Sequence, residues 1–204
     1  MLSIGLTGGY ATGKSTVARI LRSLGAAVID ADELSHAVIR RGEPGWRQVV
    51  RKFGQEVLGP DGEIDRVALG RLVFARPRLR VELEKIVHPK VIAAMRTAQA
   101  RARGEGVEVF IFEAPLLFEA GLAGEFDRVW VVSASPSRQM ERAMARDGLS
   151  AEDVRARIAA RMPLAEKEFR ADLVLRNEGN LAELRRQVGA VWRALKTPHG
   201  KFNP

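Results

Sequence analysis

The sequence predicts an α/β protein in which a parallel five-stranded core sheet carries an embedded helical substrate subdomain and a helical lid. Three observations predict it. Five short apolar runs recur along the chain, separated by segments whose apolar residues follow a helical period. The first run passes directly into a glycine-rich loop and then a helix. Between the second and third runs lies a long stretch of helical text with no strand in it.

Leu2 to Thr7 is the first strand, and it leads into Gly8-Gly9-Tyr10-Ala11-Thr12-Gly13-Lys14-Ser15, a full match to G-x-x-x-x-G-K-S. From Thr16 to Leu24 the apolar positions Val17, Ile20, Leu21 and Leu24 mark a helix laid on a sheet. Glycines let the backbone turn so that several N–H groups converge on phosphate oxygens at the helix amino end. Lys14 supplies a mobile charge for the outer phosphates, and the Ser15 hydroxyl suits a magnesium ion bridging them. Strand, loop and helix in this order define a P-loop nucleoside-triphosphate-binding fold. A dinucleotide fingerprint fits worse, because Gly5, Gly8, Gly9 and Gly13 do not give G-x-G-x-x-G.

A chain of 204 residues supports one substantial core with attached substructures. Hydrophobic residues at 46% and charged residues at 28% are those of a soluble globular protein. Cysteine is absent, which excludes disulfides and thiol chemistry and fits a reducing compartment. Met1-Leu2 opens on the first strand without a charged leader, and no apolar run approaches membrane-spanning length, so a cytoplasmic location is expected. A net charge of +8 favours anionic partners without separating nucleic acid from nucleotides. Aromatics at 6% show no interleaving with basic residues.

Ala27 to Asp30 is the second strand, followed by Ala31 and Asp32. Asp30 suits capping or orienting local backbone; Asp32, one step beyond, is better placed to face a substrate hydroxyl and receive its proton. Either aspartate also suits a plain helix cap. Residues 33–106 then read as helices. Trp46, Val49, Val50 and Phe53 form one stripe, Val57 to Gly62 a turn, and Ile64-Asp65-Arg66 a new start. Pro77 interrupts, and His88-Pro89 marks a second junction, since Pro89 biases His88 away from helical torsions.

The third strand runs from Val107 to Phe112 and ends at Glu113, which suits either the magnesium-water shell or anchorage of the following loop. Pro115-Leu116-Leu117-Phe118-Glu119 then turns and closes a pocket. Asp127 to Val132 is the fourth strand. Beyond Pro136, Arg138, Arg142 and Arg146 recur at four-residue intervals on one helix face: an arginine lid for phosphate charge, or a solvated ion-pair surface with Glu141 and Asp147. Ser150 to Asp153 is a capping box, and Arg155, Arg157 and Arg161 enlarge the basic zone. Ala171 to Leu175 is the fifth strand. Arg176 to Asn180 is a loop that supports the phosphate loop, contacts adenine, or is a simple polar turn. Leu181, Leu184, Val188, Val191 and Leu195 form a final helix, and His199 to Pro204 a frayed tail.

No D-x-x-G or N-K-x-D sequence of a regulatory GTPase is present. Gly5-Leu6-Thr7-Gly8-Gly9, Gly13-Lys14-Ser15, Val28 to Asp32, His88-Pro89, Pro115 to Glu119, Arg142, Arg146 and Asn177-Glu178-Gly179 together resemble the dephospho-CoA kinase family, over essentially the chain to the final helix. The resemblance implies a P-loop core at 1–32, 107–136 and 166–204, a CoA-binding helical subdomain at 33–106 and an arginine-rich lid at 137–165. It implies transfer of the ATP γ-phosphoryl group to the 3′-hydroxyl of dephospho-CoA, with Mg2+ at Ser15. Asp32, Lys14 and Arg142 match catalytic positions. Gly8, Gly9, Tyr10, Ala11, Thr12, Gly13, Lys14, Ser15, Thr16, Arg142, Arg146, Asn177 and Gly179 match the nucleotide side, and Thr7, Asp32, Arg66, His88 and Leu117 the acceptor side. Nucleic acid, membrane and obligate protein partners are not expected, and the oligomeric state stays open. Departures from the family pattern are Tyr10-Ala11-Thr12 for the more usual Ile-Gly-Ser, Glu113 for aspartate, Arg161 for glutamine and Arg176 for aspartate.

Overall fold

The five apolar runs become β1 (Leu2–Gly8), β2 (Ala27–Asp30), β3 (Val109–Glu113), β4 (Arg128–Ser133) and β5 (Leu173–Arg176), in a computed structural model that describes residues 1–196. They form one parallel sheet in the order β2-β3-β1-β4-β5. β1 is central: Leu2 to Leu6 register with Val109 to Glu113, and Ile4 to Gly8 with Arg128 to Val132. β5 pairs with β4 from Trp130–Leu173 to Ser133–Arg176. Parallel pairing brings the carboxyl ends of neighbouring strands to one edge, where ligands of such sheets gather. Gly8, Glu113, Ser133 and Arg176 all end their strands there.

Both faces of this sheet are covered, which is why the strands read as almost continuous apolar runs. Ile4, Leu6, Ile111, Trp130 and Val132 share one core with Val17 and Leu21 of α1 (Lys14–Ser23) and Leu184, Val188 and Trp192 of α9 (Leu181–Leu195). Each such side chain, taken out of water, contributes roughly 1.5–3 kcal/mol. The alternate residues Phe110 and Phe112 are likewise fully buried, and Phe112 stacks on Phe126 at 5.6 Å between ring centres. Gly5 permits a close approach here, since a Cβ on it would lie 2.6 Å from Leu117 Cδ1.

The chain divides into two compact units, one of Met1–Val28 with the residues from Ala102 onward, the other Ile29–Arg101. The second contains α2 (Ala31–Ala37), α3 (Pro44–Phe53), α4 (Arg66–Ala75) and most of α5 (Pro77–Gly104). Val49, Phe53, Val57, Ile64, Leu69 and Val73 form its core. Asp65 caps α4 by accepting from Val67 N at 2.9 Å and Ala68 N at 3.0 Å. Pro44 and Pro77 each stand at a helix start, where a missing N–H costs nothing.

One expectation is corrected: α5 continues through His88-Pro89 without a break. Proline inside a helix forfeits a hydrogen bond, at a cost of about 3 kcal/mol. Here Leu83, Ile86 and Val87 pack on the helical core and Val91 and Met95 are buried beyond it, so apolar anchors on both sides hold the helix through the defect. The first unit also carries α6 (Pro136–Asp147), α7 (Ala151–Ala159) and α8 (Leu164–Phe169). Ser150 caps α7, accepting from Asp153 N at 3.1 Å while its hydroxyl donates to Asp153 Oδ2 at 2.6 Å. The tail expected from His199 to Pro204 lies outside the described residues. Among the described residues no helix is long and apolar enough to cross a membrane.

Candidate active site

Between β1 and α1 the backbone turns through two left-handed residues, Ala11 at φ +56° and Gly13 at φ +92°. Gly13 is the N-cap of α1 and brings no side chain to it, so no side-chain oxygen occupies the place that an anion would take. Gly13 meets a second demand. Its Cβ, were there one, would lie 2.3 Å from Asn177 Nδ2, which donates to Thr12 O at 2.9 Å. Thr12 Oγ1 donates in turn to Gly9 O at 3.1 Å. The loop after β5 therefore props the phosphate loop, one of the three roles left open for it.

Lys14 Nζ and Ser15 Oγ both donate to Glu113 Oε1, at 2.5 and 2.7 Å. Glu113 is only 4% exposed. A buried carboxylate is tolerated when it is paired and hydrogen-bonded, as this one is. Its register opposite Leu6 puts it two residues before the end of β1, beside the loop that β1 feeds. The hydrogen bonds of Glu113 thus run to the phosphate-loop side chains rather than to the loop that follows it.

The arginine face of α6 separates into different tasks. Arg138 pairs with Glu141 at 2.9 Å, an exposed pair of the ion-pair kind. Arg142 donates to Asn177 O at 2.9 Å and lies 3.4 Å from both Asn177 Oδ1 and Gly179 O, so it braces the same loop that props Thr12. Arg146 grips Asp147 with Nε at 2.7 Å and Nη2 at 2.8 Å. That grip, with a hydrogen bond from Tyr10, holds the Asp147 carboxyl well below its usual range.

Tyr10 gathers the rest of the basic zone. The guanidinium carbons of Arg146, Arg157 and Arg161 stand 5.5, 5.9 and 5.3 Å from its ring centre. Its hydroxyl donates to Asp147 Oδ2 and accepts from Arg157 Nη1. The family resemblance places Tyr10 on the nucleotide side, but its contacts with these arginines have no signal in the sequence beyond the i, i+4 spacing of Arg157 and Arg161.

Of the acceptor-side residues, Asp32 lies in the first turn of α2 and is exposed. Asp30 caps that helix, accepting from Asp32 N at 2.7 Å, the capping role its position suits. Arg66 and His88 are exposed on α4 and α5 of the same unit. Thr7 and Leu117 are fully buried in the other unit, where Thr7 Oγ1 donates to Pro115 O at 3.3 Å. Nothing in the sequence points to Lys167, which is fully buried on α8 and donates to Pro115 O at 3.0 Å while pairing with Glu119 Oε1 at 2.8 Å. Burial pushes its ammonium below the usual lysine range, and the Glu119 bond opposes that shift.

A parallel sheet in this strand order, an uncapped helix behind a G-x-x-x-x-G-K-S loop, and a carboxylate ending the adjacent strand define a P-loop kinase of the α/β class. The sequence profile of the dephospho-CoA kinase family matches residues 2–183. Dephospho-CoA kinase from Symbiobacterium thermophilum is 49% identical over 194 residues, covering 95% of this chain and 81% of the relative. That from Geobacter metallireducens is 47% identical over 193 residues, covering 95% and 96%. The solved dephospho-CoA kinase from Campylobacter jejuni superposes with a TM-score of 0.73 at 29% identity, over 95% of this chain and 96% of its own. The chain belongs to the dephospho-CoA kinase family.

Proposed function

We propose that this chain transfers the γ-phosphoryl group of ATP to the ribose 3′-hydroxyl of dephospho-CoA, giving CoA and ADP in the final step of CoA biosynthesis. The observation that carries the reading is the convergence of Lys14, Ser15 and Glu113 at the uncapped end of α1, in a chain matched by the family profile almost throughout. The phosphate-loop amides bind the triphosphate, and Lys14 turns from Glu113 to its outer oxygens. Asp32 accepts the proton of the attacking 3′-hydroxyl as the oxygen–phosphorus bond forms and the bond to the ADP oxygen breaks. Arg142, within a lid at 137–165, neutralises charge on the transferring group, Arg146 binds the triphosphate, and the helical segment 33–106 binds the acceptor.

Magnesium fits this donor set. Mg2+ is held by one or two protein oxygens, with phosphates and water completing its shell. Ser15 and Glu113 supply such oxygens 2.7 Å apart, while no cluster of three or more histidine, cysteine or acidic side chains is present among the described residues. Ser15 would ligate the ion and Glu113 would orient its water; bound there, the ion supplies charge neutralisation between the outer phosphates. In this reading dephospho-CoA and ATP are the partners and the cytoplasm is the compartment.

The test is magnesium-dependent transfer of labelled γ-phosphate to dephospho-CoA, with product position resolved by mass spectrometry beside nucleoside monophosphate acceptors. Label at the 3′-position of CoA is expected. Folded, ATP-binding protein that labels the other acceptors instead would overturn the substrate assignment.

A further inference from the structure

Tyr10 sits third in the phosphate loop, yet its surroundings are those of the basic helices. It is 8% exposed and buried with Ala143 and Val154, with Met140, Leu149 and Ile158 packed against the same cluster. Three guanidinium groups within 6 Å of one ring centre repel one another. They hold together because the ring face is electron-rich and the Asp147 carboxylate, bound to both the Tyr10 hydroxyl and Arg146, supplies a countercharge. The arginines come from three places, the end of α6, the last turn of α7 and the turn after α7, so the ring ties these segments to the loop at one point.

We propose that Tyr10 is a positioning residue that docks Arg146, Arg157 and Arg161 on the phosphate loop before nucleotide arrives, and so sets affinity for the nucleoside triphosphate rather than the rate of transfer. The reasoning is one of preorganisation. An arginine free in solvent loses its rotamer freedom when it meets a phosphate, and that loss is subtracted from binding. An arginine already stacked on Tyr10 has lost it beforehand. The ring and the hydroxyl have separable parts in this: the ring face holds three guanidiniums, and the hydroxyl adds the Asp147 and Arg157 bonds. The proposal rests on the reading of these helices as a lid over the phosphates.

The experiment compares wild type with Tyr10→Phe, Tyr10→Ile, Arg161→Gln and the double variant Tyr10→Ile/Arg161→Gln. It measures Kd for Mg-ATP by calorimetry without acceptor, and kcat and both KM values with dephospho-CoA. Tyr10→Phe, which keeps the ring, is expected to raise Kd for Mg-ATP about threefold. Tyr10→Ile, which loses three ring contacts, is expected to raise it at least about tenfold. In both, kcat at saturating ATP and KM for dephospho-CoA change by less than about twofold, a split that loss of folding alone would not produce. Arg161→Gln should weaken ATP binding in the Tyr10 protein but add little in the Tyr10→Ile background. Equal Kd values in all five proteins, or parallel losses in ATP affinity, kcat and acceptor KM, overturn the proposal. Should Tyr10→Ile fail to fold, Tyr10→Phe and Arg161→Gln still decide it. Wild type that binds ATP but transfers no phosphate would refute the kinase assignment while leaving the calorimetric test of Tyr10 standing.

Discussion

Replacing Glu113 by glutamine removes one negative charge and almost no volume. In the structure that carboxylate is 4% exposed and takes hydrogen bonds from Lys14 at 2.5 Å and Ser15 at 2.7 Å. Removing one member of a buried ion pair costs about 3–5 kcal/mol, because the other charge is stranded. Glutamine keeps a carbonyl oxygen for the ammonium, and the Lys14 side chain retains 13% exposure to water, so a loss of about 2 kcal/mol is expected. For a chain of this length that is roughly a 4–8 °C fall in Tm. Nucleotide binding moves the other way. Lys14 must leave Glu113 to reach a phosphate, and in the variant it leaves a neutral amide, so Kd for ATP without magnesium should hold or tighten. Magnesium-dependent turnover should fall by about a hundredfold, since the carboxylate that would orient the ion's water is gone. Urea unfolding, calorimetry with and without magnesium, and the labelled-phosphate assay read the three effects separately. A variant as stable as wild type that turns over normally would refute both the pairing argument and the role given to Glu113.

Asp32→Asn should lower kcat by about 10²–10⁴ while KM for ATP stays within about twofold; steady-state kinetics showing an unchanged kcat would remove Asp32 from the mechanism. Ser3 donates its hydroxyl at 2.6 Å and its amide at 2.8 Å to Asp127 Oδ2, and these bonds hold that carboxyl below its ordinary value of 3.8. A carboxyl pKa lowered by folding contributes stability above its unfolded value and loses it as pH falls through the folded one. Ser3→Ala should therefore cost about 1 kcal/mol at pH 7, discounted because Asp127 is solvent-exposed, and the gap to wild type should close below about pH 4 in urea titrations. A gap that persists unchanged in acid would exclude the carboxylate as its source. Ala11 holds φ +56°, a conformation costing an L-residue about 1–2 kcal/mol that glycine escapes at an entropic cost of about 0.4–1. Ala11→Gly should raise stability by about 0.5–1 kcal/mol; an unfolding midpoint at or below wild type would show that the loop relieves the strain elsewhere.

The sheet and the phosphate loop were legible because their signals are local. Strand cores, the G-x-x-x-x-G-K-S spacing, the Asp65 cap and the Ser150 cap each depend on residues a few positions apart. Pro89 is the complementary case: its local cost is real, but the packing of Ile86 and Val87 on the helical core and the burial of Met95 outweigh it. The same limit hid the partners of the site. Evenly spaced Arg138, Arg142 and Arg146 look equivalent on a helical projection; Arg138 keeps its local partner Glu141, but Arg142 and Arg146 meet Asn177 and Tyr10, which only tertiary structure brings to them. Lys167 is the extreme case, since a lysine is expected outside and nothing beside it in sequence announces Glu119.

The bond from Asn177 to Thr12 joins residues 165 positions apart, and the missing Cβ of Gly13 is what lets Asn177 close on the loop. The phosphate loop follows β1, whereas the residue that props it follows β5, with most of the sheet between them. A chain synthesised only as far as β4 therefore carries the whole nucleotide-binding motif but lacks the bond that props it. Pairing of β5 on β4 is what delivers Asn177 to Thr12, so the finished loop and the finished sheet edge are one event of assembly.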